Sequence, residues 1–332
     1  MADPGRGGST FPGRRDFIAV GIGAFAVAVT PWLQRRRATV VRRTVPLMGT
    51  LADIAVVGHG TRHAEGAIDA AVAALVDVER VMTRFRPDSD IGRVNLCAAR
   101  DAVSVGRATA HVVTAALRWA EATDGRFDPA IGRLVEVWDV THRHEPPPLE
   151  MTRRFAGRRL FLAVEAELNG QRPVIRFHDA DASLDLGGIA KGFGVDRAVA
   201  ALRDWGIRNA IVNVGGDLYA MGSSGDGDPW RVGVRASSHP DGIVDVIEVR
   251  DGAVATSGDY EQGFTHEGRR YHHLLDPYTA APRRVAAHSL SIAADDCMSA
   301  DAAATALFGE DSGTIRRMLA RLEPGATLIH AG

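Results

Sequence analysis

The chain has little cysteine, and this excludes most thiolate-based sites. Its 332 residues include only two cysteines, Cys97 and Cys297, which lie far apart in the sequence. They match neither the spacing of zinc ligands nor the cysteine density of small disulfide-stapled proteins. One disulfide between them and two unrelated buried thiols both fit the sequence, and the second is the commoner use of cysteine.

The sequence also lacks a surplus of charge of either sign. Lys and Arg total 39 against 41 Asp and Glu, a formal net charge of −2. Binding to a phosphate backbone normally needs a clear basic surplus, so nucleic acid is excluded as the main partner. With 45% hydrophobic residues, the chain can bury a full core in one large domain or two small ones.

Long apolar runs are absent except near the N-terminus, where one predicts an export signal. Residues 17–33 form a Gly- and Ala-rich apolar stretch behind Arg14–Arg15, a pattern that resembles a twin-arginine signal. The sequence AVA at 26–28 offers a cleavage site, and retention as an anchor is the alternative. We predict a signal peptide or anchor over 1–38 and a periplasmic or otherwise extracytoplasmic domain over 39–332, with membrane contact only through an uncleaved signal.

Strand and helix patterns interchange along the rest of the chain. Residues 39–58 alternate around Met48-Gly49-Thr50 as a strand pair, and several strands are predicted in the second half. Apolar residues at three- and four-residue spacing predict a helix over 62–84, and further helices are predicted over 107–123, 194–205, 296–308 and 312–321. We therefore predict an α+β or mixed α/β fold, arranged as one two-lobed catalytic domain with mixed sheets and flanking helices.

The only lysine of the chain, Lys191, lies in the glycine-rich stretch DLGGIAKGFGVD at 185–196. Its double glycine, Gly187-Gly188, comes between a predicted strand and a predicted helix, so that free N–H groups point at whatever fills the turn. This is the geometry of an anion site, although such turns are also common packing devices. NVGGDL at 213–218 and ATSGDYE at 255–261 are further small-residue turns, which suggests a ligand with a long polar body.

Two motifs near the C-terminus offer a proton acceptor and hard oxygen ligands. HHLLDP at 272–277 places two histidines three or four residues before Asp276, which makes a histidine a candidate general base. Asp301 and Thr305 lie four apart on one face of a predicted helix and suit Mg²⁺ or Ca²⁺ but not zinc. The alternative for this pair is structural: the threonine bonds back to its own helix and the aspartate complements the helix dipole.

Seven short motifs then occur in a characteristic order. They are MGT (48–50), FDPAIGRLVEVW (127–138), DLGGIAKGFGVD (185–196), NVGGDL (213–218), ATSGDYE (255–261), HHLLDP (272–277) and ADAAATALF (300–308). The series, over about residues 44–325, resembles the ApbE family, the FAD:protein FMN transferases. The resemblance implies an ApbE-like fold and Mg²⁺-dependent transfer of FMN from FAD to a threonine or serine hydroxyl of an acceptor flavoprotein, with release of AMP.

The resemblance also implies roles for individual residues. The positions that match FAD contacts are Met48, Phe85, Arg126, Phe127, Asp128, Asp185, Lys191 and Leu275. The positions that match metal ligands are the side chains of Asp301 and Thr305 and the backbone carbonyls of Gly188 and Ala304. His273 matches the base that deprotonates the acceptor hydroxyl, and its neighbour His272 is the competitor.

The resemblance and the export signal together predict the partners. FAD is expected as the substrate, Mg²⁺ as the cofactor, and a membrane-bound or periplasmic respiratory subunit as the acceptor flavoprotein. Two alternatives stay open: an FAD pyrophosphatase that releases FMN and AMP, and a non-catalytic flavin-binding assembly protein. The sequence does not separate water from a protein hydroxyl as nucleophile, because the difference lies in access to the site.

Overall fold

The computed structural model describes residues 25–28, 39–167, 172–224, 227–236 and 239–332. The predicted export signal over 1–38 therefore lies outside the described residues, apart from one short strand at 25–28. Within the part of the chain that the structure describes, no helix has both the length and the apolar character needed to span a membrane.

Helices and short strands alternate along the chain. The strands are β1 Phe25–Ala28, β2 Val40–Leu47, β3 Thr50–Val57, β4 Val103–Ser104, β5 Val164–Glu167, β6 Val174–Phe177, β7 Ala210–Val214, β8 Asp217–Met221, β9 Trp230–Ala236, β10 His239–Val249, β11 Gly252–Gly258, β12 Gly263–His266, β13 Arg269–His272, β14 Leu275–Asp276, β15 Ala281–Pro282, β16 Ser289–Ala294 and β17 Thr327–Ala331. The α-helices are α1 Thr61–Met82, α2 Asp90–Cys97, α3 Arg107–Ala122, α4 Gly132–Trp138, α5 Leu149–Thr152, α6 Ala190–Asp204, α7 Cys297–Leu307 and α8 Ser312–Leu322.

A seven-stranded sheet in the order β17-β16-β11-β8-β7-β3-β2 forms the centre of the fold. All of its ladders are antiparallel. Parallel pairing among the described residues is limited to one isolated bridge between Ile131 and Ser183. The large antiparallel sheet and its helices confirm the α+β prediction.

The central sheet is buried on both faces. Along β3, Ile54 and Val56 belong to the core that packs against the helices, whereas Ala55 and Val57 belong to a second core on the opposite face. This second core includes the fully buried Trp230 of β9. Because successive side chains of a strand point to opposite faces, β3 buries apolar residues on both faces, and its one charged residue, Asp53, is paired with Arg42.

The predicted helices over 62–84, 107–123, 296–308 and 312–321 correspond to α1, α3, α7 and α8, and the boundaries differ by no more than two residues. The helix predicted from Gly194 instead begins at Ala190, so this boundary was wrong. The sequence was misleading because glycine is a poor helix former, and α6 contains two, Gly192 and Gly194.

Gly192 lies at a direct backbone contact between α6 and α7. A Cβ atom added at Gly192 would be 2.2 Å from the carbonyl oxygen of Cys297 and 2.8 Å from the Cα of Met298. Such contacts involve backbone atoms, which cannot rotate away. Glycine at this position therefore sets how closely the two helices approach.

We expect Gly192→Ala to lower the free energy of unfolding by about 3 kcal/mol, because the methyl group would push α6 and α7 apart. Gly194→Ala in the same helix is the matched control. Its Cβ would meet only side-chain atoms, Leu75 Cδ2 and Met48 Sδ at 3.2 Å, so its effect should stay below about 1 kcal/mol. Urea denaturation measures both, and equal losses would contradict the packing argument.

Candidate active site

The single lysine of the chain is paired with two buried carboxylates. Lys191, at the start of α6, donates a hydrogen bond from Nζ to Asp217 Oδ2 at the start of β8, and its Nζ lies 3.5 Å from Asp301 Oδ1 on α7. Asp217 and Asp301 are 1% and 2% exposed, so neither carboxylate is solvated by bulk water. The cluster therefore joins the central sheet to both helices.

Burial and mutual repulsion act against the charge of the two carboxylates. Burial raises the pKa of Asp217 and of Asp301, and the ammonium of Lys191 opposes that rise in both. Burial alone would lower the pKa of Lys191, but the attraction of Asp217 and Asp301 is stronger and holds it above its usual range. Lys191 is therefore a permanent cation.

Thr305 meets the glycine turn that precedes α6, and Asp301 meets the first turn of α6 itself. Asp301 Oδ2 accepts a hydrogen bond from the N–H of Gly192 at 3.0 Å, and the Thr305 hydroxyl lies 3.2 Å from the Ser257 hydroxyl of β11. A Cβ at Gly188 would be 2.7 Å from Thr305 Cγ2, so only a glycine backbone can lie this close. Three predicted metal-binding positions, Gly188, Asp301 and Thr305, are thus brought together.

The fourth predicted metal-binding position, Ala304, is fully buried on α7 beside Thr305. Ser257 was not singled out in the sequence, although its two-hydroxyl turn ATSGDYE was. The sequence did not assign it a role, because only the packing of β11 against α7 brings its hydroxyl to Thr305.

The residues at this place fit a hard divalent cation. Among the described residues, no three His, Cys, Asp or Glu side chains are grouped in a way that could hold a metal ion. The donors are instead one carboxylate, two hydroxyls and backbone carbonyls, all hard oxygens of the kind Mg²⁺ and Ca²⁺ take. Two buried carboxylates also share one ammonium, and burial raises the pKa of both, so a divalent cation would stabilise their charged forms.

The two adjacent histidines lie in different environments. His272 is 4% exposed, and its Nε2 lies 2.9 Å from the carbonyl oxygen of Arg283. His273 is less buried, and its Nδ1 lies 3.4 Å from the carbonyl oxygen of Gln262. Burial lowers the pKa of His273 to about 4, so its imidazole is neutral at pH 7. His272 is therefore engaged within the fold, whereas His273 is the more accessible neutral base.

Two of the predicted FAD contacts, Phe85 and Asp185, are joined by Arg84, which the sequence analysis did not single out. Phe85 is 79% exposed, and the guanidinium of Arg84 lies 4.3 Å from the centre of its ring. The same guanidinium is 2.8 Å from Asp185 Oδ2, and Asp185 Oδ1 accepts from the N–H of Gly187. The exposed ring of Phe85 is thus linked to Gly187 through Arg84 and Asp185.

Other predicted FAD contacts face into the protein. Phe127 is in the hydrophobic core, and Asp128 accepts hydrogen bonds from the N–H groups of Ala130 and Phe161. Burial raises the pKa of Asp128 to about 6. These side chains shape their loop, and their contacts with FAD stay predictions.

The remaining predicted contacts lie in separate parts of the chain. Met48 occupies the turn of the β2–β3 hairpin with a φ of 54° and donates its N–H to Glu79. Arg126 pairs with Glu310 at 2.7 Å, and Leu275 is buried.

The comparisons with known proteins decide the family. The model described as the ApbE family matches residues 48–329. The chain belongs to the ApbE family. An FAD:protein FMN transferase from Vibrio cholerae is 33% identical to it over 242 residues, which is 72% of each chain. An FAD:protein FMN transferase from Treponema pallidum is 32% identical over 290 residues, 82% of this chain and 80% of the relative.

A crystal structure of an ApbE protein from Thermotoga maritima has the same architecture. It superposes with a TM-score of 0.77 at 31% identity and covers 87% of this chain and 93% of its own. The recognition based on the seven motifs is confirmed. The two cysteines are free, and the sequence-based preference for two buried thiols was wrong for Cys97, which is exposed.

Breaking the lysine cluster should destabilise the protein. We expect Lys191→Met to lower the free energy of unfolding by about 3 kcal/mol, because it leaves Asp217 buried without its partner. The double variant Lys191→Met, Asp217→Asn should recover at least half of that loss, because the uncompensated charge is removed as well.

Arg80→Met is the control for loss of a cation. It breaks a solvent-exposed pair with Asp77 and should cost less than about 1 kcal/mol. Denaturation of the wild-type protein, the single variants Lys191→Met and Asp217→Asn and the double variant gives the coupling energy. Simple additivity of the two single variants would rule the pairing out.

Proposed function

We propose that this protein is an Mg²⁺-dependent FAD:protein FMN transferase. The observation that carries the proposal is the convergence of Gly188, Asp301 and Thr305 beside the Lys191 cluster in a chain of the ApbE family. Relatives named for this activity in two organisms support it. The convergence supplies a place for a hard cation next to a glycine turn suited to a diphosphate.

The proposed reaction transfers the FMN half of FAD to the acceptor protein. The hydroxyl oxygen of an acceptor threonine or serine bonds to the phosphorus of the FMN half of FAD, and the bond from that phosphorus to the bridging oxygen breaks. AMP leaves with the bridging oxygen. The proton of the hydroxyl passes to the imidazole of His273, which is neutral and half-buried at the edge of the site.

The other residues of the site hold and orient the reactants. Asp301, Thr305 and the carbonyls of Gly188 and Ala304 would bind Mg²⁺, which when bound neutralises charge on the diphosphate oxygens. Lys191 keeps the carboxylate of Asp301 in place. Phe85 offers a ring on which a flat heterocycle can stack.

The acceptor is proposed to be an exported or membrane-bound respiratory flavoprotein. The support is the twin-arginine pattern at Arg14–Arg15, since a protein exported by this route would meet its acceptor outside the cytoplasm. Fusion of residues 1–38 to a reporter that is active only after export tests this location. A reporter that stays in the cytoplasm would contradict it.

Covalent transfer should be visible directly. Incubation of the purified protein with FAD, Mg²⁺ and a respiratory flavoprotein domain that carries a threonine acceptor should give a fluorescent flavin band that survives denaturation. Asp301→Asn should reduce the band by a factor of at least about 100, because the hard ligand set is broken.

The control is the same acceptor with its threonine replaced by alanine, which should give no band. Release of FMN and AMP without a band would identify a pyrophosphatase. Bound FAD that stays intact would identify a non-catalytic binding protein.

The pH dependence of the reaction should report His273. A histidine with an ordinary pKa of 6.5 would lose about eightfold in neutral base between pH 7 and pH 5.5. The pKa of His273 is lowered by burial to about 4, so kcat/KM at saturating Mg²⁺ should change by less than about twofold over this range.

His273→Ala should lower kcat by about 100-fold or more. His272→Gln should cost less than about tenfold, because the glutamine amide can still donate to the carbonyl of Arg283. An eightfold fall at pH 5.5 in the wild-type protein, or a larger loss in His272→Gln than in His273→Ala, would overturn this assignment.

A further inference from the structure

Helix α7 carries both side chains proposed to bind the metal, and each end of this helix is held by a charged side chain from another segment. Asp196 of α6 lies at its N-terminus and Arg283, one residue after β15, lies at its C-terminus. Neither residue is among the predicted catalytic, FAD-binding or metal-binding positions. Both act on the backbone of α7.

At the N-terminus, Asp196 accepts two backbone hydrogen bonds. Its Oδ1 accepts from the N–H of Cys297 at 2.8 Å, and its Oδ2 accepts from the N–H of Met298 at 2.9 Å. The side chain of Asp296 accepts from the N–H of Ser299 at 2.8 Å. Three of the N–H groups that a helix leaves without intrahelical partners are therefore satisfied by carboxylates.

At the C-terminus of α7, one guanidinium donates hydrogen bonds to the carbonyl groups that have no partner within the helix. Arg283 Nη1 donates to the carbonyl oxygens of Phe308, Thr305 and Ala306, at 2.7, 3.2 and 3.4 Å. Burial lowers the pKa of Arg283 to about 10, so the side chain is still charged at neutral pH. This cation complements the dipole of α7. At the other end, burial raises the pKa of Asp196 to about 7, and its two oxygens act as hydrogen-bond acceptors for the helix N–H groups.

The same guanidinium ties α7 to two segments of the candidate site. Its Nη2 donates to the carbonyl oxygen of Arg126 at 2.5 Å, and its Nε donates to that of Leu275 at 3.3 Å. The backbone of Arg283 is fixed in turn by His272, whose Nε2 must carry the proton because a carbonyl oxygen only accepts. Arg283 thus connects the helix of Thr305 with the loop that follows His273.

We propose that Asp196 and Arg283 are positioning residues, which fix α7 from opposite ends so that Asp301 and Thr305 keep the geometry that binds Mg²⁺ beside FAD. This inference rests on the proposed function, since it takes the metal to be bound by α7. Both residues contact backbone groups of α7 and none of the side-chain oxygens proposed to bind the metal, so each acts through the helix backbone.

The test measures metal binding, which a purely structural role would not change. Mn²⁺ binding in the presence of FAD is followed by electron paramagnetic resonance for Asp196→Asn and Arg283→Lys, at a temperature where circular dichroism shows each variant folded. Both replacements keep the approximate size of the side chain and lose part of its hydrogen bonding. We expect about tenfold weaker binding in each, the loss typical when a partner of a metal ligand is removed.

Two variants elsewhere serve as matched controls. Asp311→Asn alters an aspartate that caps α8 through the N–H groups of Gly313 and Thr314, and Arg93→Lys alters an arginine that donates to the carbonyl oxygen of Asp88. Both should bind Mn²⁺ within about twofold of the wild-type protein. In the transfer assay, the positioning variants should raise the Mg²⁺ concentration for half-maximal rate by about tenfold and keep most of kcat at saturation.

The outcomes separate this inference from the function on which it rests. Wild-type protein that binds no Mn²⁺ with FAD would overturn the proposed metal site and the positioning role together. If the wild-type protein binds Mn²⁺ and both Asp196→Asn and Arg283→Lys bind it equally well, the positioning role alone is overturned, whatever the melting temperatures of the variants. Weakened binding in these variants and in both controls to the same extent would also overturn it, because the effect would then be a general loss of stability.

Discussion

The fold depends at its centre on a cluster of one lysine and two buried carboxylates. Lys191 reaches from α6 to Asp217 on the central sheet and to Asp301 on α7, and the two carboxylates are almost completely buried. A buried carboxylate without a partner destabilises the fold, so Lys191, the strand of Asp217 and the helix of Asp301 must be in contact in the folded protein. The contact of Gly192 with the backbone of Cys297 sets the helix spacing that lets them do so.

The cluster holds the three elements together, but its charges are not balanced within the protein. One ammonium cannot neutralise two carboxylates, and burial raises the pKa of both. The two carboxylates and the nearby hydroxyls of Thr305 and Ser257 are hard oxygen groups of the kind that a divalent cation would bind. The same residues thus stabilise the meeting of three elements and prepare a site for a charged ligand.

Part of this could be predicted from the sequence. The sequence predicted α1, α3, α7 and α8 to within two residues, because helix signals depend on the local order of residues. For α1 the signal is an apolar stripe at three- and four-residue spacing. The motif series predicted the family and brought Gly188, Asp301 and Thr305 forward as one group, and the structure places them together. The start of α6 was misjudged, since its glycines serve the contact with α7 and not helix propensity.

The sequence by itself determined the fold class, the family and the residue types of the site, because these depend on local patterns and on the order of short motifs. Only the tertiary structure decided which groups each of these side chains contacts. The residues around Arg283 in the sequence do not distinguish it from the other arginines, and those around Asp196 do not show what its carboxylate contacts. Both roles follow only from the packing of α7 against these side chains. The choice between His272 and His273 is of the same kind, since neighbours in sequence differ in role only through burial and the groups that the fold sets beside each ring.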